Sequence, residues 1–131
     1  MSFILDVDSA NAPEFHSLAD GTEVELRISK AEVRNSKAGD PMLALRLDIP
    51  AEPYSKDINH FIMLPNNKDD AKQTAQKQNN IKVFKATFGL PPTGPISSED
   101  MEGAKGWAIL GEEETQEYGK QNKVKRFIAA R

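Results

Sequence analysis

The chain has no cysteine, which removes disulfides, thiolate catalysis and cysteine-type zinc sites and fits a reducing compartment. Histidine is nearly as scarce. His16 and His60 are the whole supply, and their separation matches no metal-binding spacing. No apolar run approaches the roughly 18 residues of a membrane span. The opening M-S-F-I-L-D-V-D has no basic leader before its short apolar stretch, so a secretory signal is not expected. A nucleophile elbow, a phosphate loop and a dinucleotide fingerprint are all missing, and Gly103 with Gly106 is too little to replace them. The Glu112-Glu113-Glu114 run reads as a solvated charge cluster, and Asp6 and Asp8 as surface carboxylates. No catalytic residue, metal site or cofactor is therefore expected.

At 131 residues the chain is expected to form one domain around a single core. Its net charge of −3 is not the footprint of a strong nucleic-acid binder. The charge is unevenly spread, however. Residues 1–20 carry four acids and no base, and residues 99–117 hold seven acids against Lys105 alone. Residues 120–131 reverse this with five bases and no acid. Local patches thus carry more information than the total.

Residues 22–49 form the clearest pattern. Val24, Leu26 and Ile28 alternate with Glu23, Glu25 and Arg27, and Leu43, Leu45, Leu47 and Ile49 alternate with Ala44, Arg46 and Asp48. That is the period of half-buried strands, and Lys37-Ala38-Gly39-Asp40-Pro41 between them has turn chemistry. In the first strand the apolar phase slips from even positions to Ala31 and Val33. Either the strand stops at Ser29, or one long strand bends near Ser29-Lys30 and serves two faces of a barrel.

The remaining elements follow in order. Residues 1–20 read as an extended arm that packs Phe3, Leu5 or Phe15 onto the body. Strands are expected at 22–34, 42–49, 57–64, 107–111 and 123–129, with a helix at 67–89. The helix starts from an Asn66-Asn67 cap, has Ala71 and Ala75 as one apolar pair, and buries Phe84 and Phe88. It ends at Gly89, where Leu90 and Pro91-Pro92 follow. Ser97 or Ser98 is expected to cap a short acidic turn, and residues 112–122 read as a polar loop. Three strands, a helix and two strands give a mainly β fold. This is the order of a five-stranded OB-fold, a Greek-key barrel with one main helix between strands 3 and 4, although an α+β sandwich shares the element count.

The run A-E-V-R-N-S-K-A-G-D-P-M-L-A-L-R-L, the helix, the E-x-x-G-A-K-G-W turn and strand, and the terminal N-K-V-K-R-F-I carry a resemblance. The sequence resembles a phage-encoded family of small OB-fold single-stranded DNA-binding proteins, long catalogued without a function and found near recombination and replication genes. The likeness spans Gly21 to Ile128. It implies a non-sequence-specific single-stranded DNA-binding protein of phage replication or recombination, acting in the cytoplasm of a bacterial host. It also implies phage recombination or replication proteins as partners, no membrane association, and room for a homo-oligomer. Two features depart from that picture. The chain closes in I-A-A-R, where bacterial single-strand binding proteins carry an acidic tail, and it is acidic overall.

Single-strand binding needs a basic groove and exposed rings on which bases stack. In an OB-fold these lie on the outer face of strands 2 and 3, flanked by the loops joining strands 1 to 2 and 4 to 5. The candidates are Arg34, Lys37, Arg46, Asn59, Phe61 and Met63, followed by Tyr118, Lys120, Lys123 and Lys125. Alternation lets only one of Lys125 and Arg126 share the groove side. Phe61 fits either core or stacking, Tyr118 favours stacking, and Trp107 and Phe127 are expected in the core. His60 reads as a packed histidine. Two rival readings remain at this point: a protein-binding adaptor using Phe61 and Met63, and an acidic inhibitor using the carboxylates of 99–117.

Overall fold

The computed structural model describes residues 2–129, so Met1 and the Ala130-Arg131 of the I-A-A-R end lie outside the described residues. In chain order the elements are β1 (Glu23–Asn35), β2 (Pro41–Asp48), β3 (Ile58–Met63), α1 (Ala71–Thr87), the single turn α2 (Ser98–Met101), β4 (Lys105–Thr115) and β5 (Gly119–Ile128). The strands form one antiparallel sheet in the order β3-β2-β1-β4-β5.

The phase slip in β1 is a β-bulge. Ile28 faces Leu47 and Lys30 faces Arg46, leaving Ser29 as the extra residue. The bulge sits where the strand changes partners: residues 23–27 pair with β4 and residues 27–35 with β2. Because side chains alternate with a period of two, the extra residue inverts the parity of what points inward. Val24, Leu26 and Ile28 face the core before it and Ala31 after it. Ser29 donates its hydroxyl to Arg46 O at 3.0 Å, which fastens the irregularity.

Helix α1 starts at Asp70, not at the expected Asn66-Asn67. The Asp70 carboxylate accepts from Gln73 N at 2.7 Å, and Gln73 Oε1 accepts from Asp70 N at 3.0 Å. Asn66 and Asp69 instead shape the approach: Asp69 accepts from Asn66 N at 2.9 Å and from Lys77 Nζ at 2.8 and 3.0 Å. The Lys77 ammonium, with the Asn66 amide, holds the Asp69 carboxyl below the usual carboxylate range. Ala71 and Ala75 are exposed, so this ion pair, not an apolar pair, secures the first half of the helix. Phe84 and Phe88 enter the core in the second half, with ring centroids 6.2 and 5.6 Å from Phe127. The helix ends with Gly89 at φ 66° and with Leu90 N donating to Lys85 O at 2.8 Å, a Schellman closure. Ser97 caps α2 through Asp100 N at 3.1 Å.

The last two strands are longer than their apolar residues alone suggest. Residues 112–122 are a continuous hairpin, with Glu112 opposite Asn122 and Glu114 opposite Lys120. Asn122 accounts for the polar composition there. Its carboxamide is buried; it accepts from Leu18 N at 2.7 Å and donates to Leu18 O at 2.8 Å and Gly111 O at 3.0 Å. The arm is thereby docked through Leu18, and through His16, which pairs with the segment before β3: its N donates to Tyr54 O at 3.0 Å and its O accepts from Lys56 N at 2.9 Å. Phe3 and Leu5 are 86% and 79% exposed, contrary to the expected packing, while Phe15 meets only the edge of Tyr54.

The sheet is not closed. β3 and β5 are its two edges, and they meet through side chains: the His60 and Phe127 rings stand edge to face at 5.1 Å. Lys125 is the extra residue of a second bulge, between Ile109↔Arg126 and Leu110↔Val124. A bulge on one edge and only six residues on the other leave no regular ladder to join.

Candidate functional site

The second half of β1, with β2 and β3, presents one outward face whose rows are fixed by register. Lys30, Arg46 and Asn59 form one row; Glu32, Ala44 and Phe61 the next; Arg34, Met42 and Met63 the third. The opposite face of the same strands carries the core residues Ala31, Leu43, Leu45 and Ile62. On β3, Ile58 and Ile62 are buried while Phe61 is 47% exposed, so the ring belongs to the outer face.

The middle row has the smallest side chain at its centre. Ala44 leaves room for Arg34 to lean across β2 until its guanidinium carbon is 5.3 Å from the Phe61 ring centroid, within cation–π range. The same guanidinium approaches Glu32 Oε1 at 3.3 Å. A hollow of about 130 Å³ opens between Lys30, Arg34, Arg46, Asn59 and Phe61. Among the described residues, Lys30, Lys37 and Arg46 have no carboxylate within ion-pair distance. Arg27, further along β1, differs: Asp48 grips it at 3.0 and 2.7 Å and raises its pKa by that hydrogen bond and by charge.

The site residues expected from the sequence divide into two groups. Arg34, Arg46, Asn59, Phe61 and Met63 share the face, and Lys37 lies in the turn that closes its Met42–Met63 end, where Leu64 N donates to Pro41 O. The hairpin of β4 and β5 comes to the opposite end. Lys56, just ahead of β3, donates its ammonium to Lys120 O at 2.9 Å and Tyr118 O at 3.4 Å. Tyr118 is 60% exposed there. Lys123 stands 3.9 Å from Glu113 and Lys125 3.6 Å from Asp20, both exposed pairs of small energetic weight. Lys125 nonetheless lines, with Arg126, Phe61 and Met63, a cleft of about 430 Å³ along the β3–β5 seam.

Two positions on the face escaped the sequence reading. Lys30 joins it because the Ser29 bulge turns residues 30, 32 and 34 outward, and Met42 by the same alternation on β2 that turns Ala44 and Arg46 outward. The phase slip was the available signal for Lys30. Trp107 also lies elsewhere than expected: it stands outside the core cluster, half-buried on the outward side of β4, opposite Glu25 and Ile128. Its neighbour Ala108 takes the inward position. Phe127 does face the core, and His60 packs against it; burial lowers the His60 pKa.

The arrangement sets an exposed aromatic ring on the β3 edge of the face beside Lys30 and Arg46, cations without a carboxylate partner among the described residues. No protein-family model matches the sequence, and no curated protein matches it.

Proposed function

We propose that the chain is an OB-fold protein that binds single-stranded DNA without sequence preference, on the outer face of β1, β2 and β3. The strand order supports the fold reading, since a first strand paired with both β2 and β4 and edges that approach at β3 and β5 are what such a barrel requires. The observation that carries the function is the Arg34–Phe61 stack with unpaired Lys30 and Arg46 in the adjoining row. A base laid on the exposed part of the Phe61 ring extends that stack, while the phosphates on either side meet the free cations. Every base has a π face, so such a site tolerates any sequence.

The site explains how an acidic chain can hold a polyanion. The acids concentrate in residues 1–20 and 99–117, and the face has Glu32 as its one carboxylate against Lys30, Arg34 and Arg46 among the described residues. The resemblance to phage single-stranded DNA-binding proteins supports a place in phage replication or recombination inside a bacterial host, with proteins of those processes as partners. Titrating a labelled oligonucleotide at two salt concentrations tests the reading. Binding should prefer single strands to duplex and weaken steeply with salt as counterion release becomes less favourable. Equal affinity for both forms, or no binding at low salt, would remove the proposal.

A further inference from the structure

Two unpartnered apolar features of this chain carry opposite charge. The first is the arm. Phe3, Ile4, Leu5 and Val7 are 86%, 91%, 79% and 71% exposed, the four most exposed large hydrophobics among the described residues, and they lie together in the chain. Strand-like alternation would place Phe3, Leu5 and Val7 on one edge and Ile4, Asp6 and Asp8 on the other. The second is a groove of about 460 Å³ on the outer side of α1, floored by Ile81, Ala86, Leu90 and Pro92 and rimmed by Lys82 and Lys85. Neither lysine has a carboxylate partner among the described residues.

We propose that the groove on α1 receives the acidic apolar arm of a second copy of this chain. Groove against groove would set lysines against lysines, and arm against arm would set carboxylates against carboxylates. Only arm in groove matches both charge and polarity. Within one copy the arm's apolar residues touch no such surface, as their exposure shows. The arm is tied down at His16 and Leu18, so residues 2–14 are the free length. Fully extended, those residues reach about 40 Å, enough to cross to a neighbour. Two copies that each give and receive an arm form a closed pair. This contact lies outside the β1–β2–β3 face and does not rest on the nucleic-acid reading.

The test is the mass of the full chain in solution by light scattering, with charge reversal. Wild type should be a dimer at high micromolar concentration. Lys82→Glu with Lys85→Glu should weaken association about tenfold or more by juxtaposing like charges. Adding Asp6→Lys and Asp8→Lys to that variant should restore it. Because the chain lacks cysteine, disulfide trapping adds a clean geometric arm. Leu5→Cys and Gln78→Cys in separate chains, mixed and oxidised, should yield a crosslinked heterodimer that Leu5→Cys with Glu113→Cys does not. A monomeric wild type, a dimer indifferent to the reversal, or a crosslink formed only when both cysteines sit in one chain would overturn the proposal.

Discussion

Arg34 and Phe61 meet across an intervening strand: the guanidinium carbon on β1 is 5.3 Å from the ring centroid on β3, over Ala44 of β2. The contact leaves Phe61 47% exposed. A ring so placed adds little to the core and is held ready at the surface by a cation on one side.

Phe61→Ala should therefore separate binding from stability. Loss of one base-stacking platform is worth roughly 1–3 kcal/mol, so oligonucleotide affinity should fall about tenfold or more. The melting temperature should barely move, because Ile58 and Ile62 keep the inward side of β3 intact. A variant that fails to fold would show that the ring is structural.

The free and the paired cations should behave differently. Arg46 has no carboxylate partner among the described residues, whereas Lys123 lies 3.9 Å from Glu113 on the distant hairpin. Arg46→Ala should lower the slope of log affinity against log salt by about one. Lys123→Ala should change it by much less. Equal slopes for the two variants would move the phosphate track away from the β1–β2–β3 face.

The hairpin of residues 22–49 was legible because its alternation is local and its partners are sequence neighbours. Its bulge was legible too, since one inserted residue leaves a visible change of phase at Ser29. The helix C-terminus was readable from Gly89 and the prolines, whose effect is steric and local. Three features were not. The helix start fell to Asp70 because Asn66, a good cap on paper, is engaged with Asp69, which in turn holds Lys77. The length of β4 and β5 was hidden because their outer ends are polar and are sustained by backbone pairing and by Asn122, whose partner Leu18 is 104 residues away. Trp107 was misplaced because a large apolar ring next to Ala108 gives no local sign that the smaller residue takes the core. Of the candidate face, the β2 and β3 residues followed from alternation, and Lys30 needed the bulge to be taken at its word.

His60 makes stability depend on pH in a window that carboxylates do not share. Its ring is packed against Phe127, and burial lowers its pKa from the ordinary value of about 6.5. The unfolded chain thus takes up the proton first as pH falls. Stability is complete above about pH 6.5 and is lost as pH drops through the window beneath it. The melting temperature should fall between pH 7.5 and 5.5, and His60→Leu should flatten that fall. An identical drop in the variant would assign the effect to another group. Asp69, whose pKa is also lowered, acts in a separate and more acidic window.

Gly106 is held by a neighbour that cannot step aside. It lies in β4 opposite Leu26, beneath the last turn of α1. A Cβ there would stand 2.6 Å from Thr87 O and 2.8 Å from Thr87 Cγ2. The side-chain methyl could rotate away, but the carbonyl belongs to the final residue of the helix and moves only if the helix does. Gly106→Ala should accordingly lift the C-terminal end of α1, loosen Phe84 and Phe88 from Phe127, and cost about 1–3 kcal/mol in the manner of an overpacked core. Thermal unfolding should show a melting temperature several degrees lower. Since the nearest atom is backbone, adding Thr87→Ser should recover little of the loss. Full recovery in the double variant would identify the threonine methyl as the obstacle and leave the close approach of helix and strand without the role assigned to it here. Oligonucleotide affinity, measured well below the melting temperature, should be unchanged, because Gly106 is on β4 and the proposed face is on β1, β2 and β3.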